Sequence, residues 1–190
     1  MNERTFKASD AQKLEDPARL EWLPPADVIG KLDLTPGMVV ADIGAGTGYF
    51  SIPIAARVNR VFSVDLQTEM LGLLRGKLAS TGLAANIELV HGSAVATNLA
   101  AASCDLAFFA NVWHELDDLD MVLTEARRIL RAGGRLAIVD WSPDRDHPPG
   151  PPVHHRIAPE QVRRVLEAAG WTVAPASPTG RYHYMVIALA

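Results

Sequence analysis

Short apolar runs alternate along this chain with segments in which apolar residues recur every three or four positions. The runs predict strands at 38–43, 61–65, 87–91, 104–109, 135–141, 171–173 and 182–189. The periodic segments predict helices at about 48–58, 67–78, 117–131 and 159–169. This alternation of strands and helices is typical of an α/β fold with right-handed crossovers and a mostly parallel sheet.

Two segments fall outside this alternation. Residues 1–34 precede the first strand, and Pro24 and Pro25 open a short helical pattern within them. Residues 142–152 follow the fifth strand and are rich in proline, which predicts a loop. We therefore expect an N-terminal helical cover segment at 1–34 and one domain at 35–190.

Composition narrows the class of protein. The 190 residues are 48% hydrophobic and 21% charged, which is typical of a globular domain. The net charge of −4 argues against a nucleic-acid partner, which usually requires a basic surface. No apolar run is long enough for a membrane span, and the N-terminus lacks a signal-peptide core, so we expect a cytoplasmic protein. Cys104 is the sole cysteine, which excludes an intrachain disulfide and a cysteine-bound cluster.

The stretch 39–50, VVADIGAGTGYF, carries the clearest chemical signal. A strand, a glycine-rich turn and a helix in this order bring the main chain close to a small ligand. The turn lacks the Gly-Lys-Ser/Thr of a phosphate-binding loop, and Tyr49 stands where the dinucleotide fingerprint requires glycine. Asp42 adds negative charge before the turn, which favours an ammonium or sulfonium ligand over a pyrophosphate.

This stretch resembles motif I of the class I S-adenosylmethionine-dependent methyltransferases. The resemblance implies a Rossmann-like three-layer sandwich with a seven-stranded, mostly parallel sheet and an antiparallel last strand. It also implies S-adenosyl-L-methionine as the cofactor. The residues that it predicts to hold the methionine end of that cofactor are Asp42, Gly44, Ala45, Gly46 and Gly48.

Two further matches concern the adenosine end of the cofactor. Asp65 ends the second strand about 20 residues after the glycine turn, where an acid that binds ribose hydroxyls is expected. By the resemblance, Leu66 and Met70 flank the adenine ring. Related enzymes usually carry an acid after the third strand, but Ser93 and Ala94 stand there instead. We expect the Ser93 hydroxyl to accept the missing hydrogen bond.

The segment 110–116, ANVWHEL, matches motif IV, whose loop lies next to the transferred methyl group. It lacks the prolines of the amino-methyltransferases that act on DNA. It resembles methyltransferases that act on quinone precursors, lipids or natural products, which implies a small-molecule acceptor. Within it, Asn111 and Val112 are predicted to contact the cofactor, and His114 to contact the acceptor.

Candidate residues for acid–base chemistry and acceptor binding come from several segments. His114, Asp140 and His155 are the candidates for a general base, which is needed only if the acceptor atom carries a proton of high pKa. Trp22 and Arg156 are predicted to bind the acceptor together with His114. In similar enzymes the N-terminal segment folds over the ligands; the residues that provide such a cover here are Phe6, Leu14, Arg19, Trp22 and Leu23. The pair His154–His155 is too little for a metal site, so no metal is expected.

Other functions remain open at this point. A protein that binds S-adenosylmethionine or S-adenosylhomocysteine without turnover retains the glycine turn and Asp65. A nicotinamide-dependent oxidoreductase conflicts with Tyr49 and Asp42, and a tRNA or protein methyltransferase conflicts with the lack of an added recognition domain. The acceptor and its reacting atom are undetermined, and so is the choice between monomer and homodimer.

Overall fold

Strands and helices alternate along the structure, a computed structural model that describes residues 6–79, 82, 85–144 and 149–190. A 3-10 helix at Ala8–Glu15 precedes the first α-helices. The α-helices are α1 Arg19–Trp22, α2 Pro25–Ile29, α3 Ser51–Ala55, α4 Thr68–Leu78, α5 Leu119–Ile129 and α6 Pro159–Ala168. The strands are β1 Val39–Ile43, β2 Arg60–Asp65, β3 Ile87–His91, β4 Cys104–Ala110, β5 Leu130–Trp141, β6 Thr172–Val173, β7 Ser177–Thr179 and β8 His183–Leu189.

The strands form one sheet in the order β3-β2-β1-β4-β5-β8-β6. Strands β1 to β5 pair in parallel, whereas β8 runs antiparallel to β5. The expected Rossmann-like sheet with an antiparallel last strand is therefore confirmed. The eighth strand, β7, is short and pairs with β8 beside this path.

Each face of the sheet carries its own apolar core. Successive residues of a strand point to opposite faces, so Val39 and Ala41 belong to one core and Val40 to the other. Helices α5 and α6 cover the first core, and α2, α3 and α4 cover the second. Because β1 is buried along its whole length, it reads in the sequence as a continuous apolar run.

The first crossover helix is shorter than predicted. The pattern predicted a helix over 48–58, but α3 covers only Ser51–Ala55. Gly48 has φ of +83°, which belongs to the left-handed region and does not fit an α-helix. The chain therefore completes its turn before regular helical geometry begins at Ser51.

The C-terminal hairpin also differs from the prediction. Residues 178–180 were expected to turn, but Ser177–Thr179 forms β7, and the turn lies after it. β6 and β7 pair with the same edge of β8, so together they form an interrupted edge strand. Pro178 has no main-chain N–H, which is tolerated at a sheet edge but makes the segment resemble a turn in sequence.

The N-terminal segment packs onto the second core. Leu23, Val28, Ile29 and Leu32 are buried there together with residues of α3 and α4. The division at residue 34 stays a prediction, and positions 145–148 of the proline-rich loop lie outside the described residues. Within the described part of the chain, no helix combines the length and the apolar character that crossing a bilayer requires.

Strand β8 lies inside the sheet, and we expect its removal to prevent folding. Deleting residues 183–190 leaves β5 with an unpaired edge and removes the partner of β6 and β7. The deletion variant should lose cooperative thermal unfolding and elute as aggregate in size-exclusion chromatography. Removing Ala190 alone is the matched control and should leave both measurements unchanged. A folded deletion variant that binds S-adenosylhomocysteine would contradict this expectation.

Candidate active site

A cavity of about 940 Å³ opens at the carboxyl ends of the parallel strands. It lies where the strand order reverses, between β1 and β4, which is where open α/β sheets bind ligands. Its volume is suited to a ligand of cofactor size. The predicted site residues that line it are Trp22, Asp42, Gly44, Ala45, Gly46, Asp65, Leu66, Met70, Ser93, Ala94, Asn111, Val112 and His114.

The glycine turn after β1 approaches the chain after β4 very closely. Gly44 has φ of +76°, and a Cβ added there would collide with Cγ2 of Val112. The main-chain nitrogens of Gly44 and Ala45 both donate to the carbonyl of Val64, at 2.8 and 3.0 Å. Glycine is therefore required at 44 for both conformation and space.

Gly48 has a different position from the other glycines of the motif. It does not line the cavity, and a Cβ added to it would collide with Cδ1 of Leu74 in α4. Its place allows α4 to pack tightly against the turn. The structure thus gives Gly48 a packing role, and its contact with the cofactor stays a prediction.

Asp65 links the glycine turn to the start of α4. Its Oδ2 accepts a hydrogen bond from Gly46 N and its Oδ1 accepts one from Gln67 N, both at 2.8 Å. Burial raises the pKa of Asp65. A carboxylate accepts about four hydrogen bonds, so Asp65 retains acceptor capacity for two hydroxyl groups of a ligand.

Asp42 is a buried acid at the base of the cavity. Its Oδ2 accepts a hydrogen bond from the Ser51 hydroxyl at 2.5 Å, and Ser51 in turn accepts one from Ser63 at 2.8 Å. Burial raises the pKa of Asp42 to about 7, and the nearby charge of Asp65 adds to the effect. A positively charged ligand group therefore stabilises the ionised form of Asp42.

The opposite end of the cavity is apolar. Met70 is buried on α4, whereas Leu66 is half exposed at the rim. Ser93 and Ala94 follow β3, where Ser93 N donates to Ala96 O at 3.0 Å and Ala96 N donates back to Ser93 O at 3.2 Å. This arrangement fits a flat heterocycle between aliphatic side chains.

Asn111 is held in a left-handed conformation at the end of β4. Its φ is +60°, and its main-chain nitrogen donates to Val139 O at 2.8 Å. Its side-chain Oδ1 is buried and has no hydrogen-bond partner among the described residues. Because a buried acceptor without a partner is costly, Asn111 fits a site that a ligand donor completes.

His114 and Asp140 meet in the wall of the cavity. His114 Nδ1 lies 2.7 Å from Asp140 Oδ1, and His114 N donates to Asp140 Oδ2 at 2.9 Å. Asp140 is fully buried, and Trp141 N also donates to it, at 2.7 Å. His114 lines the cavity and Asp140 does not, so Asp140 is linked to the cavity through its contact with His114.

Glu115 is a wall residue that was not singled out from the sequence. Its Oε1 lies 3.9 Å from His114 Nε2, and its Oε2 accepts a hydrogen bond from Phe6 N at 3.1 Å. Burial raises the pKa of Glu115 to about 7. The feature of the sequence that pointed to Glu115 as a site residue was its position directly after His114 in motif IV.

Aromatic side chains form the other wall. Trp22 on α1 and Trp141 at the end of β5 both line the cavity, with their rings 5.2 Å apart. His183 lies behind them, with its ring 4.1 Å from that of Trp141. Trp141 was not predicted, although it directly follows Asp140 at the carboxyl end of a parallel strand.

Besides Gly48 and Asp140, two further predicted residues do not line the cavity. Arg156 donates to the main-chain carbonyls of Pro151 and Ser142, so its guanidinium holds the loop after β5. The ring of His155 packs against that of His154, at 4.3 Å. Neither residue lines the cavity, and their roles as base and acceptor ligand stay predictions.

Comparison with known proteins identifies the family. The profile of a methyltransferase domain matches residues 41–138, which is more than half of the chain. A crystal structure of a SAM-dependent methyltransferase from Aquifex aeolicus superposes with a TM-score of 0.90 at 30% identity, covering 97% of this chain and 99% of that one. The chain therefore belongs to the methyltransferase-domain family, in the class I branch that uses S-adenosylmethionine as methyl donor.

Curated relatives agree with this assignment. A ubiquinone/menaquinone biosynthesis C-methyltransferase, UbiE, from Brucella anthropi is 30% identical over 128 residues, which are 66% of this chain and 46% of that protein. An uncharacterized methyltransferase from Mycobacterium bovis is 35% identical over 126 residues, or 66% of this chain and 45% of that protein. The chain spans about half the length of these relatives.

The glycine turn should tolerate no side chain at position 44. We expect Gly44→Ala to lower the free energy of unfolding by about 2–4 kcal/mol, since it adds both backbone strain and a collision with Val112. Gly76→Ala in the exposed part of α4 is the matched control and should raise it by about 0.5–1 kcal/mol. Urea denaturation measures both. Equal stabilities of the two variants would refute the steric explanation.

The raised pKa of Asp42 predicts proton release on ligand binding. With a pKa of about 7, Asp42 is partly protonated in the free protein at neutral pH, and a nearby ammonium group favours its ionised form. S-adenosylhomocysteine should therefore displace a proton at pH 7 and much less at pH 8.5. Calorimetry in buffers of different ionisation enthalpy measures this release. Asp42→Asn should reduce it, and an unchanged release would exclude Asp42 as the source.

Proposed function

We propose that this chain transfers the methyl group of S-adenosylmethionine to a flat, unsaturated small molecule whose reacting atom must lose a proton. The observation that carries the proposal is the 2.7 Å contact between His114 Nδ1 and the buried carboxylate of Asp140, at the wall of the cavity. A histidine oriented in this way is suited to act as a general base.

The residues of the cavity fit the cofactor. Asp65, Leu66 and Met70 line the cavity, which supports a role for Asp65 in accepting hydrogen bonds from the ribose hydroxyls and for Leu66 and Met70 in enclosing the adenine. Asn111 Oδ1, which lacks a partner among the described residues, is placed to accept a hydrogen bond from the ligand. When bound, the cofactor supplies an electrophilic methyl group on a positively charged sulfur, so the protein needs to align the acceptor, exclude water and remove the proton of the reacting atom.

Asp140 fixes the protonation of His114. The carboxylate is an acceptor only, so Nδ1 of His114 carries the ring's hydrogen and donates a hydrogen bond to Asp140. Nε2 of His114 would then take the acceptor's proton while the acceptor atom gains the methyl group and the methyl–sulfur bond breaks, which leaves S-adenosylhomocysteine as the second product. In this assignment His114 is the catalytic base and Asp140 is a positioning residue.

The aromatic wall supports an acceptor with a flat ring. Trp22 and Trp141 present large apolar faces on the same side of the cavity. A phenolic or enolic acceptor would stack there and present an ionisable group to His114. The relatives named UbiE are C-methyltransferases of ubiquinone and menaquinone biosynthesis, which is consistent with this class of acceptor.

The test is a panel of phenols, catechols and hydroquinones, with S-adenosylhomocysteine formation as the readout. For acceptors of high pKa, we expect His114→Gln to lower kcat by about 10²–10⁴-fold. For acceptors that are already ionised, the same substitution should have little effect. Asp140→Asn should act in the same direction and alter the pH dependence of kcat/KM. His154→Gln, on the exposed loop, is the matched control and should retain full activity.

Two results would overturn the proposal. One is a wild-type protein that binds the cofactor but methylates no member of the panel, which would favour a binding protein without turnover. The other is a His114→Gln variant that slows ionised and neutral acceptors equally, because a base is needed only for the neutral ones.

A further inference from the structure

Arg19 is a buried cation on the N-terminal cover. It is 6% exposed on α1 and lines the cavity. Its Nη1 donates a long hydrogen bond to Leu14 O at 3.3 Å, and its Nε is buried without a partner among the described residues. The hydrogen-bonding capacity of its guanidinium is therefore largely unused.

The acids near Arg19 are bonded to other groups. Glu15 accepts hydrogen bonds from the Thr47 hydroxyl and from Lys77, each at 2.5 Å. Asp42 accepts its bond from Ser51. None of the ion pairs found among the described residues includes Arg19. Burial lowers the pKa of Arg19 to about 10. A buried charge without a counterion is costly, so this position favours an anion from outside the protein.

Arg19 lies at the same end of the cavity as the glycine turn. Its guanidinium stacks on the ring of Tyr49, 3.8 Å from the ring centre, directly after Gly48 in the sequence. Leu14, whose carbonyl accepts the hydrogen bond from Arg19, also lies beside the glycine turn. Its Cδ1 is 3.4 Å from where a Cβ added to Gly46 would be. Asp42 is close enough to act on the charge of Arg19, yet the two form no ion pair.

One acidic and one basic side chain, both buried and not paired with each other, thus face one end of the cavity. We propose that Arg19 binds the α-carboxylate of S-adenosylmethionine while Asp42 accepts a hydrogen bond from its α-ammonium group. The planar guanidinium suits a carboxylate because two parallel N–H groups can donate to its two oxygens. The inference rests on the cofactor assigned above and is independent of the acceptor and of His114.

The test compares two ligands by calorimetry. S-adenosylhomocysteine carries the amino-acid group, whereas 5′-methylthioadenosine has the same nucleoside and sulfur without it. We expect Arg19→Met to weaken S-adenosylhomocysteine binding by about tenfold or more and to change 5′-methylthioadenosine binding by less than about twofold. Arg19→Lys should give an intermediate loss, since lysine lacks the bidentate geometry. Arg181→Met removes an exposed cation next to α1 and should change neither affinity.

Thermal unfolding of the ligand-free variants separates binding from folding. Arg19→Met should be at least as stable as the wild type, because an apolar side chain replaces an unpaired buried charge. Equal losses for both ligands would overturn the proposal, since Arg19 would then only support the cover. Equal wild-type affinities for the two ligands would overturn it as well. If the variants behave as expected but no acceptor is methylated, the proposed function fails and the role of Arg19 stands.

Discussion

The site depends on how closely the chain after β1 approaches the chain after β4. At that point the side chain of Val112 occupies the space that a Cβ on Gly44 would need. Two hydrogen bonds to Val64 O and one from Gly46 N to Asp65 hold the turn against β2. Much of this end of the cavity is therefore main chain, and its shape follows from the strand order. The main chain forms this part of the binding site, and the surrounding side chains add charged groups to it.

Charge explains why such a site suits a methyl donor with positive charge. Asp42, Asp65 and Glu115 all line the cavity, and burial raises the pKa of each. Their ionised forms are costly in the empty protein and become favourable beside a cation. Asp140 lies behind His114 and accepts hydrogen bonds from N–H groups of His114 and Trp141. Acids whose ionised forms a cationic ligand favours therefore line the cavity, whereas Asp140 lies outside its lining.

The glycine turn, Asp65 and motif IV were predictable because each is a local pattern that directly encodes a turn or a strand end. The contact between His114 and Asp140 joins residues 26 positions apart, and it arises from the pairing of Ala110 with Val139 in neighbouring strands. No local pattern encodes that register. The sequence predicted His155 and Arg156 near the site because they follow β5. In the structure, the guanidinium of Arg156 donates hydrogen bonds to the main-chain carbonyls of Pro151 and Ser142.

The cover helix α1 links the two halves of the cavity. Arg19 and Trp22 are three residues apart, so they share one face of the helix. Arg19 lies beside the glycine turn. Trp22 packs against the tilted ring of Trp141 and stacks on the ring of His183, with the ring centres 5.7 Å apart. The hairpin before β8 fixes this helix, because Arg181 N donates to Trp22 O at 2.8 Å. The end of the sheet that completes the fold therefore also orients the helix that carries Arg19 and Trp22.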